Sequence, residues 1–84
     1  MIRFEKKAWE DYLEWQAVDK KKLQRINALI KECRRTPFFG IGKPEPLKGE
    51  YSGFWSRRID DEHRLIYCFD HDVLTVIACK YHYD

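Results

Sequence analysis

The glycines and prolines of this 84-residue chain are confined to one short segment. All four glycines and all three prolines lie between positions 37 and 53. Because both residue types interrupt regular secondary structure, this segment separates two parts of the chain. Apolar residues before it recur at helical spacing, and the apolar runs after it are typical of strands. The sequence therefore predicts an α+β fold, with two N-terminal helices packed on one face of a curved antiparallel sheet.

Two helices are expected before the segment. In the first, over about residues 6–17, Trp9 and Leu13 recur at the spacing of one helical face. Asp19 is expected to cap the second helix, because its carboxylate can accept hydrogen bonds from free backbone N–H groups. Apolar residues then recur every three or four positions until Pro37 ends the pattern. The apolar sides of both helices are expected to face the core.

Strands are expected at both ends of the chain. The runs with strand character are 2–5, 54–59, 63–69 and 73–81. Short acidic turns separate the last three runs, which predicts antiparallel pairing, because parallel neighbours need a long connection. If each turn holds three residues, Arg58 lies opposite Arg64, and Arg64 lies opposite Ala78.

All of residues 1–84 are expected to form a single domain, with room for one modest core. Trp55 is not assigned to the core, because its ring could instead stack on a nucleobase or meet a partner. The residues predicted to fill the core are Trp9, Leu13, Ile26, Ile30, Leu65, Tyr67, Val76 and Ile77.

Composition excludes several classes of protein. No run reaches the roughly 20 apolar residues of a membrane span, and the N-terminal sequence lacks the apolar core of a signal peptide. Three cysteines are an odd number without CxxC spacing, which favours free thiols in a reducing cytoplasm over a disulfide framework. A net charge of +2 is too mild for a protein that binds long duplexes by charge alone.

Strand alternation predicts a cluster of cations at one end of the sheet. Arg58, Arg64, Lys80 and His82 would share a face near the first turn. Cations so close repel one another unless an anion binds between them, and a phosphodiester is a suitable anion. The alternative is that each arginine pairs with an acidic residue of the turn at 60–62.

Glu45 is the second candidate for a residue that takes part in a reaction. It lies between Pro44 and Pro46, which restrict its backbone to an extended conformation, and Lys43 and Lys48 are close in sequence. A rigidly held carboxylate can act as a general base. The alternative is an ordinary solvated side chain. The same alternative applies to the lone C-terminal histidine, although imidazole is the group best suited to proton transfer near neutral pH.

These features coincide with the pattern of a known family. Blocks in the same order over nearly the whole chain resemble the Txe/YoeB branch of the RelE-like toxins, which are nucleases of bacterial type II toxin–antitoxin pairs. The matching blocks are 9–16, 34–38, 42–48, 52–59, 62–67 and 81–83, with GKPEPLK, SGFWSRRI, EHRLIY and YHY among their sequences.

The resemblance implies a RelE-like microbial ribonuclease fold. It further implies metal-independent cleavage of mRNA in the ribosomal A site by attack of the 2′-OH, with inhibition of translation and no cofactor. Four residues would be catalytic: Glu45 as base, Arg64 on the phosphate, and the pair His82 and Tyr83. Residues expected to hold RNA are Lys48, Arg58 and Lys80.

The resemblance also implies partners: a YefM-like antitoxin, the ribosome with its mRNA, and a second copy in a homodimer, but no membrane. Two other functions remain open. The protein could block the ribosome without cutting, or serve mainly as the partner of a repressing antitoxin. Two departures from the family bear on the rate of cleavage, namely Lys80, where relatives often carry arginine, and Asp84, which follows the His-Tyr pair.

Overall fold

The computed structural model describes residues 1–81, in which two helices pack on one face of a five-stranded sheet. The α+β fold class is therefore confirmed. In chain order the elements are β1 (Ile2–Phe4), α1 (Lys6–Val18), α2 (Lys20–Arg35), β2 (Glu45–Pro46), a 3₁₀ turn (Gly49–Tyr51), β3 (Trp55–Arg58), β4 (Arg64–Asp70) and β5 (Val73–Ala78).

The first helix buries a different face from the one predicted. Trp9 and Leu13 are 48% and 45% exposed, whereas Ala8, Asp11 and Trp15 are buried. The apolar pattern misled because the core side of α1 includes a small residue and an acid. Asp11 is tolerated there because its carboxylate accepts a hydrogen bond from the Cys79 backbone N–H at 3.1 Å and pairs with a lysine one turn away.

The second helix follows the prediction. The Asp19 carboxylate accepts a hydrogen bond from the Lys22 backbone N–H at 3.2 Å, as expected of an N-cap. Arg34 and Arg35 occupy the last turn, where positive charge complements the helix dipole. The buried side of α2 consists of Ile26, Leu29, Ile30 and Cys33.

The sheet has the order β1-β5-β4-β3-β2 and is mixed, not wholly antiparallel. The last three strands pair antiparallel, as predicted. The short strand β2, which was not predicted, also pairs antiparallel with β3, whereas β1 pairs parallel with β5. This difference follows from connectivity. The antiparallel prediction rested on short turns, whereas most of the chain lies between β1 and β5 and leaves their relative direction unrestricted.

The two turns between the later strands behave differently. Arg58 lies opposite Arg64 across the first turn, as predicted. The second turn holds only His71 and Asp72, both with positive φ, instead of three residues. A register shift follows further along, where Ile66 pairs with Ala78. The predicted pairing of Arg64 with Ala78 is therefore wrong.

The core lies between the helices and one face of the sheet. Of the predicted core residues, Ile26, Ile30, Leu65, Tyr67 and Val76 are buried. Ile77 is only half-buried, because it is the extra residue at the register shift in β5. Trp55 packs against the core and contacts the ring of Phe38, with centroids 4.9 Å apart.

The cysteines are free thiols, as expected. Burial raises the pKa of the Cys33 thiol to about 11 and that of Cys79 to about 12. Neither helix of the described chain is long and apolar enough to cross a membrane.

Candidate active site

Glu45 lies on the sheet face that points away from the helices. Its register partner on β3 is Ser56, and the row continues through Ile66 on β4 to Ala78 on β5. Leu65, the neighbour of Ile66 on β4, belongs to the core cluster under the helices. Because successive side chains in a strand alternate between faces, the row that includes Glu45 projects from the opposite face.

Arg58 and Arg64 occupy the next pair of positions on the same face. They lie directly opposite each other and two residues along their strands from Ser56 and Ile66. Glu45 and Arg58 are thus diagonal neighbours, for which backbone separations of about 7–8 Å are typical. The structure therefore brings a carboxylate and two guanidinium groups to one corner of the sheet.

The two arginines are not neutralised by the adjacent turn. Arg64 donates to the backbone carbonyls of Asp60 and His63, at 2.7 and 3.0 Å. Within residues 1–81 neither Arg58 nor Arg64 forms an ion pair with a carboxylate. The alternative that the acids of the turn neutralise these arginines is thus wrong for the described chain, and the positive charge of the pair is available for an anion.

The carboxylate of Asp60, in the adjacent turn, is engaged by other groups. The Asp60 carboxylate pairs with Lys22 at 3.1 Å and accepts the backbone N–H groups of Glu62 and His63 at 2.8 and 2.7 Å. Burial acts to raise the pKa of Asp60, but the hydrogen bonds from His63 and Glu62, with that from Lys22, outweigh it and hold the pKa below its usual value. Asp60 therefore stays ionised and shapes the turn.

The two lysines predicted to hold RNA have different surroundings. Lys48 is exposed and directly precedes the 3₁₀ turn, three residues after Glu45. Lys80 instead pairs with Glu14 of α1. That contact lowers the pKa of the Glu14 carboxyl and raises the pKa of the Lys80 amine. Lys48 is therefore free of the helices and close to Glu45 in the sequence, whereas the side chain of Lys80 is directed to α1 and not to the arginines.

His82 and Tyr83 lie outside the described residues. The residue before them, Tyr81, lies beside Arg64, because its backbone carbonyl accepts the Arg64 backbone N–H at 2.8 Å. The chain is thus led to the corner of the sheet that holds Arg58 and Arg64 before the predicted His-Tyr pair begins.

The strand that carries Glu45 has few hydrogen bonds of its own. Pro44 and Pro46 lack an N–H group, so neither can donate to the neighbouring strand. Beyond the pairing of Glu45 with Ser56, the segment is held by a hydrogen bond from the Leu47 N–H to the Phe54 carbonyl at 2.9 Å. Glu45 therefore depends on the preceding loop for its position.

Arg57 holds that loop, although no separate role was predicted for this residue. Its side chain is 0% exposed and lies on the helix side of β3. The guanidinium donates to the Ile41 and Phe39 carbonyls at 2.9 Å each, to the Thr36 carbonyl, and to the Tyr67 hydroxyl at 3.1 Å. The alternation of side chains along β3 could have indicated this, because it puts Arg57 on the opposite face of the sheet from Arg58.

Gly42 completes the attachment of the loop. Its carbonyl accepts the Arg58 backbone N–H at 2.7 Å, and its φ of +83° is in the region that favours glycine. A Cβ at this position would lie 2.7 Å from the Leu29 side chain. The loop therefore runs close under α2 and reaches β3 just before Glu45.

The described part of the chain, residues 1–81, contains no group of three His, Cys, Asp or Glu side chains placed to hold a metal ion. The charges at the corner of the sheet are those of Glu45, Arg58 and Arg64. Such a set can accept a proton and stabilise a phosphate.

Comparison with known proteins places the chain among bacterial toxins. A family model described as the YoeB-like toxin of the bacterial type II toxin–antitoxin system matches residues 4–83. The toxin YoeB of Escherichia coli K12 is 60% identical over 76 residues, which are 90% of each chain.

Solved structures agree. The YoeB/ParE toxin from Agrobacterium tumefaciens superposes with a TM-score of 0.95 at 46% identity, covering 98% of each chain. A heterotetrameric YoeB–YefM complex from Staphylococcus aureus gives 0.92 at 46% identity, covering 99% of this chain and 97% of the other. A YoeB dimer from the same organism gives 0.91 at 47% identity, covering 98% and 95%.

Proposed function

Since the chain belongs to the YoeB-like toxins of bacterial type II toxin–antitoxin systems, we propose that it is a metal-independent endoribonuclease that cuts mRNA in the ribosomal A site. The observation that carries this proposal is the pair Arg58 and Arg64. They face each other without a carboxylate partner in residues 1–81, on the sheet face that also carries Glu45. Cleavage of mRNA during translation inhibits protein synthesis.

The proposed reaction uses the nucleophile that RNA itself supplies. Glu45 takes the proton of the 2′-OH, and the 2′-oxygen attacks the adjacent phosphorus. The bond from phosphorus to the 5′-oxygen breaks, and His82 gives that oxygen a proton. The products are a 2′,3′-cyclic phosphate and a 5′-hydroxyl. No covalent bond to the protein forms, and no atom is oxidised or reduced.

The arginines supply the electrostatic part of the mechanism. As the 2′-oxygen attacks, negative charge grows on the non-bridging phosphate oxygens, and preorganised cations stabilise it more than they stabilise the substrate. Arg58 and Arg64 are held by neighbouring strands and therefore need little reorganisation. Lys48 assists Glu45 and holds RNA, and Tyr83 positions the phosphate or stacks on a base.

The proposed partners follow from the relatives. The Staphylococcus aureus relative forms a complex with YefM and also a dimer. We propose a YefM-like antitoxin, the ribosome with its mRNA and a second copy of this chain as partners, in the cytoplasm. Lys80 contributes to RNA binding only if its contact with Glu14 opens.

Primer extension on ribosomes stalled on a defined mRNA tests the proposal. The protein should produce a new 5′ end within the A-site codon, and a 2′-deoxy substitution at the cleaved nucleotide should abolish the cut. The released fragment should end in a 2′,3′-cyclic phosphate, because attack by the 2′-OH forms that ring. Metal-dependent hydrolysis by water would not form it.

Two variants complete the experiment. His82→Ala should lose cleavage, whereas Arg35→Ala, which removes a cation at the end of α2, should retain it. Inhibited translation without any cut would refute the nuclease and identify a protein that blocks the ribosome.

A further inference from the structure

Tyr81 has an unusual backbone that two hydrogen bonds maintain. Its φ is +60°, a region that tyrosine seldom occupies because Cβ approaches the carbonyl oxygen. Its N–H donates to Nδ1 of His63 at 2.7 Å, and its carbonyl accepts the Arg64 N–H at 2.8 Å. Both backbone groups of Tyr81 are thus bonded to consecutive residues at the start of β4.

His63 is enclosed and has one orientation. The residue is only 9% exposed, its ring meets Trp15 edge-on with centroids 4.9 Å apart, and the centroid of the Tyr81 ring lies 5.5 Å away. Nε2 lies 3.5 Å from a Glu62 carboxylate oxygen. The backbone N–H of His63 donates to the Asp60 carboxylate at 2.7 Å. Packing and hydrogen bonds therefore fix both the ring and its backbone.

The bond to Tyr81 also defines which ring nitrogen carries a proton. A nitrogen that accepts an N–H must offer its lone pair, so Nδ1 is unprotonated and the ring proton is on Nε2, beside Glu62. His63 follows the turn directly and lies on the helix side, away from the face of Arg64. It has no part in the proton transfers of the proposed reaction.

The chain before Tyr81 is held separately. Nε1 of Trp15 donates to the Cys79 carbonyl at 2.7 Å, and the Cys79 N–H donates to the Asp11 carboxylate. These contacts tie residue 79 to α1. Lys80 pairs with Glu14 of the same helix, and the backbone of Tyr81 is held instead by its bonds to His63 and Arg64.

We propose that His63 is a positioning residue for cleavage. Its imidazole holds Tyr81 in the left-handed conformation beside Arg64, directly before the two residues proposed to act in cleavage, His82 and Tyr83. This inference rests on the proposed ribonuclease function. It differs from it in assigning a role to a side chain that touches neither RNA nor the reacting atoms.

Two substitutions separate positioning from packing. In His63→Asn the amide oxygen can take nearly the place of Nδ1 and accept the Tyr81 N–H. In His63→Leu a side chain of similar size has no acceptor. His63→Leu should lower kcat for A-site cleavage about tenfold to a hundredfold, the scale expected when reacting groups move by about 1 Å. KM should stay nearly constant, and His63→Asn should restore most of the rate.

A stability control and an independent readout accompany these rates. Ile30→Val destabilises the core away from the site and should keep the wild-type kcat. Amide hydrogen exchange at Tyr81, measured by NMR on the intact protein, should be slow in the wild type and in His63→Asn, and fast in His63→Leu.

The proposal is overturned if His63→Leu affects kcat no more than Ile30→Val, or if His63→Asn is as slow as His63→Leu. Equal Tyr81 exchange in all three proteins also refutes it. A wild-type protein that cuts no RNA would refute the proposed function instead, and the Tyr81 amide would then decide alone whether His63 holds the chain.

Discussion

Replacing Arg57 by methionine should remove a large part of the stability of this protein. Methionine fills similar space but donates no hydrogen bonds, so three loop carbonyls and the Tyr67 hydroxyl lose their buried donor. The Tyr67 hydroxyl still donates to the Pro37 carbonyl, but each of the three carbonyls left without a partner costs about 1–3 kcal/mol. Water reaching the loop recovers part of this, which leaves a loss of about 3–6 kcal/mol. Small domains have a free energy of unfolding of only about 5–15 kcal/mol.

A substitution that removes only one of these hydrogen-bonding groups should have a smaller effect on stability. Tyr67→Phe removes the hydroxyl that accepts from Arg57 and donates to the Pro37 carbonyl at 2.6 Å. It should lower the free energy of unfolding by about 1–3 kcal/mol. The melting temperature should fall by about 4–8 °C for each kcal/mol in a domain of this size.

Urea unfolding followed by tryptophan fluorescence measures these changes. The matched control is Arg58→Met, which makes the same chemical change on the exposed face of the same strand and should shift stability by no more than about 0.5 kcal/mol. Equal stability of Arg57→Met and Arg58→Met would show that the loop does not depend on the buried guanidinium, and the reasoning would be wrong.

Three further predictions concern the acid and the buried thiols. Glu45→Gln should slow A-site cleavage by about 10²–10⁴-fold. The control Glu50→Gln should have the same melting temperature as Glu45→Gln but cleave at the wild-type rate, and equal cleavage by the two variants would remove Glu45 from the mechanism. Iodoacetamide should modify Cys33 and Cys79 at neutral pH only as the protein unfolds, because burial raises their pKa values to about 11 and about 12; mass spectrometry of the alkylated protein decides. Burial likewise raises the pKa of Tyr67 to about 12. Since these three groups lose protons more readily when unfolded, the urea midpoint should fall as pH rises above about 9, and a midpoint unchanged up to about pH 11 would contradict the stated cause.

A feature of the fold could be predicted from the sequence when the interactions that determine it join residues close together in the chain. The pairing of Arg58 with Arg64 was predictable, because a short acidic turn joins their strands and so sets the register. The alternation of side chains along each strand then puts both arginines on the same face. The next turn was not, because His71 and Asp72 both adopt positive φ without the Asn-Gly pattern that signals such a turn. The parallel pairing of β1 with β5 depends on contacts between opposite ends of the chain.

The same limit applies to individual side chains at the site. Glu45 and Arg64 were predicted as site residues from a rigid Pro-flanked segment and from strand alternation. Arg57 and His63 were missed as individual residues, because their roles are hydrogen bonds to backbone atoms 16–21 and 18 residues away. An isolated arginine or histidine in a sequence does not indicate which distant carbonyl or N–H it will meet.

The pairing of β1 with β5 determines when during synthesis the protein can fold. Most of the described chain lies between β1 and its neighbour β5, and β5 also lies beside β4 in the sheet. A nascent chain that lacks β5 therefore cannot complete its core, and contacts of such long sequence separation form slowly. We expect chains truncated before Val73 to be digested rapidly by protease, while the full-length protein resists. The toxin therefore completes its fold only after β5 has been made.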